Sequence, residues 1–137
     1  MTLAGQRIGM DSDAVTKAVT GAAIRVHSAL GPGLLESAYR ACLEHELRLQ
    51  GLRVHTEWPL PIAYNGIQID VGYRVDLLVE DIVVVELKVV EKLLRVHEAQ
   101  LLAYLKLSER EVGLLINFHV PHLRLGIKRM VNNYKRN

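Results

Sequence analysis

The hydrophobic residues of this chain follow a helical period in three segments. In the first, apolar side chains recur every three or four positions between Val15 and Leu30, which is the spacing of one face of a helix. Residues 11–13 (DSD) precede this segment with oxygens that can cap a helix, and residues 31–33 (GPG) follow it with the glycine and proline that end helices. We predict two further helices, over residues 34–50 and 91–107.

Seven other segments have the composition of β-strands. They are residues 53–57, 60–64, 67–71, 73–79, 82–90, 113–118 and 123–127. Asn65 and Gly66 are typical of a tight hairpin turn. The strands at residues 73–79 and 82–90 contain long apolar runs, which indicate central strands covered on both faces. A short tail helix is predicted over residues 128–134.

This order of elements predicts an α/β fold in which a central mixed β-sheet is flanked by helices. The chain has 137 residues, of which 50% are apolar and 23% are charged, and this length and composition fit one globular domain. We place the single domain at residues 11–137, after a flexible N-terminal tail at residues 1–10 that has no periodicity.

Composition and charge limit the cell compartments and the partners that fit this sequence. No apolar run approaches the roughly 20 residues that span a bilayer, and residues 1–10 lack the apolar core of a secretory signal. The single cysteine, Cys42, agrees with a reducing compartment. We therefore expect a cytoplasmic protein with no membrane partner. The net charge of +2 does not by itself indicate a nucleic-acid binder.

Three charged residues lie inside the two most apolar strands. Asp76 is in the first, and Glu86 and Lys88 are in the second, where their spacing places them on one face with Leu87 on the other. Such charges are costly to bury unless they are paired or hold a metal. A two-residue hairpin loop would place Asp76 and Glu86 on opposite faces. If both serve one site, the loop has an odd number of residues or a strand carries a bulge.

These residues resemble a known signature. Asp76 followed by Glu86, Leu87 and Lys88 on consecutive strands resembles the motif of the PD-(D/E)xK nuclease superfamily. Residues 33–39 (GLLESAY) match GxxExxY, the motif that names a small family placed in that superfamily. The resemblance implies a restriction-endonuclease-like core and a metal-dependent nuclease.

A third motif lies on the last predicted helix. His97, Gln100 and Tyr104 are similar to the HxxQ and QxxxY elements of the exonuclease-like branch of the superfamily. The resemblance as a whole covers roughly residues 15–130. It departs from the usual pattern just before Asp76, where Arg74 and Val75 stand and a proline is usual.

The implied site suits a hard divalent cation. Mg²⁺ prefers oxygen ligands, and we expect Mn²⁺ to substitute for it. The predicted metal ligands are the carboxylates of Glu36, Asp76 and Glu86 and the main-chain carbonyl of Leu87.

The other implied residues act on the water or the phosphate. Lys88 is expected to orient the attacking water or to stabilise developing negative charge. Gln100 joins it as a catalytic residue, and His97 and Tyr104 position the phosphate or brace Lys88, because all three lie on one helix face.

Each residue also has a purely structural interpretation. Asp76 could pair with Arg74 or Arg53, and Glu86 could form a plain ion pair with Lys88. A glutamate in a first helical turn, such as Glu36, is favoured by the helix dipole alone. Tyr39 is expected in the core and His97 could be structural, and the other histidines lack the spacing of a zinc site.

We therefore hypothesise a Mg²⁺-dependent hydrolase of phosphodiester bonds in nucleic acid, with DNA as the favoured substrate. The alternative is a non-catalytic module of the same fold that binds nucleic acid or a protein partner. The sequence leaves homodimerisation open.

Overall fold

A computed structural model describes residues 10–132 of the chain. The helices are α1 (Ser12–Leu30), α2 (Glu36–Leu49) and α3 (Arg95–Ser108), with a 3₁₀ turn at Leu123–Gly126. The strands are β1 (Val54–Pro59), β2 (Ile62–Tyr64), β3 (Ile67–Ile69), β4 (Arg74–Val79), β5 (Val83–Lys88), β6 (Val112–Asn117) and β7 (Ile127–Val131). All three predicted helices are confirmed, as are six of the seven predicted strands, with ends shifted by a few residues.

The helix ends follow from capping chemistry. Asp11 accepts a hydrogen bond from the Ala14 N–H through Oδ1 at 2.8 Å, which satisfies a donor that the first turn of α1 leaves free. At the other end Gly31 has φ 69°, a left-handed conformation that glycine adopts without strain, and its N–H donates to the His27 carbonyl.

Five strands form one mixed sheet in the order β1-β4-β5-β6-β7. Strands β5 and β6 are parallel, and the chain between them forms α3, the crossover that parallel neighbours require. The other neighbours in this sheet are antiparallel. Strands β2 and β3 form a separate hairpin closed by Asn65 and Gly66. The predicted α/β fold with a central mixed sheet is therefore confirmed.

The sheet carries a hydrophobic cluster on each face. Helices α1 and α2 pack on one face through residues such as Val19 and Leu43, and α3 packs on the other through Leu101 and Leu105. Residues 83–87 of β5 are all buried, so the prediction that the two most apolar strands are central is confirmed. Among the described residues, no helix has the length and apolar character that a bilayer span needs.

The C-terminal predictions were wrong. Residues 123–127, predicted as a strand, are mainly the 3₁₀ turn, and the predicted tail helix at 128–134 is strand β7 as far as it is described. The cause is tertiary, because Ile127–Val131 pair with the edge of β6 and edge pairing overrides local preference. Residues 133–134 of that prediction, and residues 1–9 of the predicted tail, lie outside the described residues.

Candidate active site

The turn between β4 and β5 sets which residues meet across the two strands. Val79 pairs with Val83, so three residues lie between them, and the predicted odd-numbered loop is confirmed. Glu80 and Asp81 both have positive φ (54° and 58°), and the Ile82 N–H closes the turn on the Val79 carbonyl at 3.0 Å. Continued along the strands, this register brings Asp76 level with Glu86.

The regular pairing of β4 is interrupted at Asp76. Val75 and Leu78 belong to the α3-side cluster, whereas Leu77 belongs to the opposite one, so strict alternation fails at this point. On the neighbouring strand the interruption is flanked by Glu57, which has φ 47°. Positive φ at a residue other than glycine is uncommon and concentrates at functional sites. The interruption frees the Asp76 backbone and side chain from the ordinary ladder.

Two hydrogen bonds then join Asp76 to Glu86 and Leu87 across the two strands. The Leu87 N–H donates to Oδ2 of Asp76 at 2.8 Å, and the Asp76 N–H donates to Oε1 of Glu86 at 2.9 Å. Hydrogen bonds from N–H groups to carboxylates are stronger than neutral ones. Both carboxylates are thereby fixed in direction, each with a second oxygen that the main chain does not use.

The acids are buried close to one another. Glu86 is only 5% exposed, and burial, followed by the Asp76 charge, raises its pKa to about 8, while the Asp76 N–H and Lys88 act in the opposite direction. Burial and then the Asp76 charge also raise the pKa of Glu36, against the lowering effects of Lys88 and Arg40. Glu36 at the start of α2 therefore belongs to the same electrostatic cluster as the two strand acids.

Helix α3 supplies a hydrogen-bonded chain to Lys88. The Lys88 ammonium donates to Oε1 of Gln100 at 3.2 Å, and Nε2 of Gln100 donates to the Tyr104 hydroxyl at 3.1 Å. Burial, as the largest cause, raises the pKa of Tyr104, so its hydroxyl keeps its proton at neutral pH. Gln100 and Tyr104 can act together because residues four apart share a helix face.

The remaining predicted residues hold local structure. Nδ1 of His97 accepts the Leu94 N–H at 2.9 Å, which caps the first turn of α3. Tyr39 is fully buried, as expected of a core residue, and stacks on Phe118 at 4.5 Å. Its hydroxyl donates to the Gly31 carbonyl and accepts from the Leu34 N–H, which fastens the turn between α1 and α2.

Arg40 also belongs to this site, although none of the sequence motifs includes it. Its guanidinium contacts Oδ1 of Asp76 at 3.4 Å and Oε1 of Glu57 at 3.1 Å. The two arginines considered as partners of Asp76 instead pair elsewhere, Arg74 with Asp70 and Arg53 with Glu80. Helical spacing could have found Arg40, because it lies four residues after Glu36 on the same face of α2.

The donor set fits a hard divalent cation. The three carboxylates provide only oxygen atoms, the ligands that Mg²⁺ and Mn²⁺ prefer, and a cation would relieve the charge repulsion between Glu86 and Asp76. Within residues 10–132, however, no three acidic, histidine or cysteine side chains already converge as a metal site. The contacts described above, including that of Arg40, hold the carboxylates in their present directions.

A family of known proteins matches most of the chain. A family model described as the PD-(D/E)XK nuclease superfamily matches residues 13–130. No curated protein and no solved structure matches the chain.

Proposed function

Because the chain belongs to the PD-(D/E)XK nuclease superfamily, we propose that it is a Mg²⁺-dependent nuclease that hydrolyses phosphodiester bonds, with DNA as its substrate. Within the superfamily we assign it to the GxxExxY group on the motif at residues 33–39. The observation that carries the proposal is the pair of hydrogen bonds, from the Asp76 N–H to Glu86 and from the Leu87 N–H to Asp76, that places both carboxylates beside Lys88.

Each residue has a distinct proposed role. Glu36, Asp76 and Glu86 would hold the metal with the Leu87 carbonyl, and when bound the metal would supply positive charge at the phosphate and lower the pKa of a water. The Lys88 ammonium donates to a phosphate oxygen or to the attacking water. Its position is fixed by Gln100, whose amide oxygen accepts a hydrogen bond from it.

Two residues support this arrangement from α3. Because the Lys88 ammonium can only donate, the Gln100 amide oxygen faces it, and Tyr104 accepts from the amide nitrogen on the other side. His97 caps the helix that carries both residues, so any effect of His97 on phosphate positioning passes through the helix. Cytoplasmic location and the option of a homodimer remain part of the proposal.

A second candidate is a binding module that has the fold without catalysis. The specific observation in its favour is that the described carboxylates do not already converge as a metal site. On this alternative the protein binds nucleic acid or a protein partner, and the acidic cluster plays no part in that binding.

The test is cleavage of single- and double-stranded DNA and RNA with Mg²⁺, with Mn²⁺ or with a chelator. Glu86→Gln and Lys88→Met should each reduce cleavage at least about 100-fold, the typical loss of one electrostatic contact in a transition state. Glu44→Gln and Lys106→Met are matched controls on the surfaces of α2 and α3 and should retain activity. Cleavage that survives in both site variants, or in the chelator, would falsify the proposed site. Binding without cleavage in every condition would establish the second candidate.

A further inference from the structure

Arg40 contacts the carboxylate oxygen of Asp76 that does not accept the Leu87 N–H. Oδ2 of Asp76 is engaged by the Leu87 N–H, whereas Oδ1 has the Arg40 guanidinium at 3.4 Å. A cation bound to Oδ1 would therefore meet a positive charge already in place. Because like charges repel strongly in partly buried surroundings, Arg40 and a divalent metal compete for this atom.

Arg40 also contacts a second acidic residue, Glu57. Arg40 has a shorter contact with Glu57, 3.1 Å, and Glu57 is largely exposed, with its side chain 63% accessible. Glu57 would therefore keep the guanidinium close to Asp76 after the contact with Asp76 is broken. Its planar set of donors also matches the oxygens of a phosphate, which can accept two parallel hydrogen bonds.

We propose that Arg40 is a phosphate-binding residue that exchanges its contact with Asp76 for one with the substrate phosphate when a divalent cation binds Oδ1 of Asp76. The inference rests on the proposed nuclease function and adds a substrate contact to the same site. Replacing Arg40 should therefore have opposite effects on the two ligands. The metal should bind more tightly, because its competitor is lost, and the nucleic acid should bind more weakly, because its phosphate loses a contact.

The experiment measures Mn²⁺ affinity by titration calorimetry and nucleic-acid cleavage at saturating Mn²⁺. Arg40→Gln should bind Mn²⁺ about 3- to 10-fold more tightly while its KM for nucleic acid rises about 10-fold, the effect of losing one charge-assisted contact. Arg40→Met, which keeps the apolar stem, should change both quantities in the same directions and serves if Arg40→Gln folds poorly. Arg25→Gln, which removes an arginine from the surface ion pair with Glu46, is the control for net charge.

The outcomes separate the two proposals. Tighter Mn²⁺ binding with raised KM supports the role of Arg40. Weaker or unchanged Mn²⁺ binding in both Arg40 variants, with a wild-type protein that binds Mn²⁺ and cuts, overturns that role and leaves the nuclease proposal intact. A wild-type protein that neither binds Mn²⁺ nor cuts overturns the nuclease proposal, and the inference about Arg40 with it.

Discussion

At the scale of single residues, Glu86 is the group whose environment conflicts most with its charge. It is 5% exposed and stands beside Asp76, and its one main-chain donor only partly compensates for burial. A carboxylate in this position costs folding free energy unless it is protonated or a cation is bound. On the proposed function, this cost in stability accompanies a site that binds a cation, as in many catalytic centres.

This conflict predicts a pH dependence of stability. The unfolded chain releases the Glu86 proton near pH 4.5 and the folded chain near pH 8. Between these values the folded state binds more protons, so the free energy of unfolding falls as pH rises through the window. Glu86→Gln removes this titration and keeps an oxygen for the Asp76 N–H. In chelator its stability should exceed that of wild type by on the order of a few kcal/mol above pH 8, and the advantage should vanish near pH 4.5.

Thermal melts from pH 4.5 to 9 in chelator measure this difference as a change in Tm. Glu44→Gln, which removes a carboxylate from the surface ion pair with Arg48, should show an offset from wild type that does not grow with pH. An offset of Glu86→Gln that is the same at every pH would contradict the assigned environment of Glu86.

At the scale of elements, the ends of β5 and β6 are held together by one buried amide. The Asn117 side chain donates to the Val90 carbonyl at 2.8 Å and accepts from the Val90 and His119 N–H groups. It thereby fixes the chain just beyond Lys88. The turn before β7 passes so close that a Cβ on Gly126 would lie 2.2 Å from the Asn117 carbonyl oxygen.

We therefore expect Gly126→Ala to destabilise the protein by at least about 2 kcal/mol, because the backbone at Asn117 must move. Gly21→Ala is the matched control, since its Cβ would meet only the end of the Arg25 side chain at 3.7 Å. It lies inside α1 and should stabilise by about 0.5–1 kcal/mol. Urea denaturation of both variants measures whether each substitution lowers or raises the free energy of unfolding. Equal effects would show that the close approach at Asn117 is not tight.

Elements defined by local patterns could be predicted, and those defined by distant partners could not. The cap at Asp11 follows from neighbouring residues, and the odd loop between β4 and β5 follows from the requirement that Asp76 and Glu86 share one site. Strand β7 depends on pairing with β6 and leaves no local signal. The position of Arg40 four residues after Glu36 is a local signal, but its contact with Asp76, 36 positions away, depends on the packing of α2 against the sheet. Glu36, Lys88 and Gln100 could be named from motifs alone, but their contacts required the packing of α2 and α3 around the sheet.

At the scale of the whole molecule, one sheet joins both hydrophobic clusters. Val83 and Val85 contribute to the cluster under α1 and α2, and Val84 between them contributes to the cluster under α3. Neither layer can lose its packing without exposing strands on which the other depends. This supports the proposal that residues 11–137 form a single domain.

Unfolding should accordingly be a single cooperative transition. Trp58, the one tryptophan of the chain, packs against the α3-side cluster, so its fluorescence reports on that layer, whereas far-UV circular dichroism reports on all the helices. The two signals should give the same urea midpoint. A fluorescence midpoint clearly below the dichroism midpoint would indicate that the α3 layer unfolds separately.

The motif at residues 33–39 combines two kinds of information. Gly33 has φ 106°, a conformation suited to glycine, and Tyr39 fastens the same turn through its hydroxyl, whereas Glu36 faces the acidic cluster. Gly33 and Tyr39 thus shape the turn, and Glu36 is the residue of the motif to which we assign a chemical role. Among other sequences that share the glycine and the tyrosine, the glutamate is the position that should separate enzymes from inert scaffolds. A chain that keeps the glycine and the tyrosine but lacks the glutamate would retain this turn and lose one carboxylate of the proposed site.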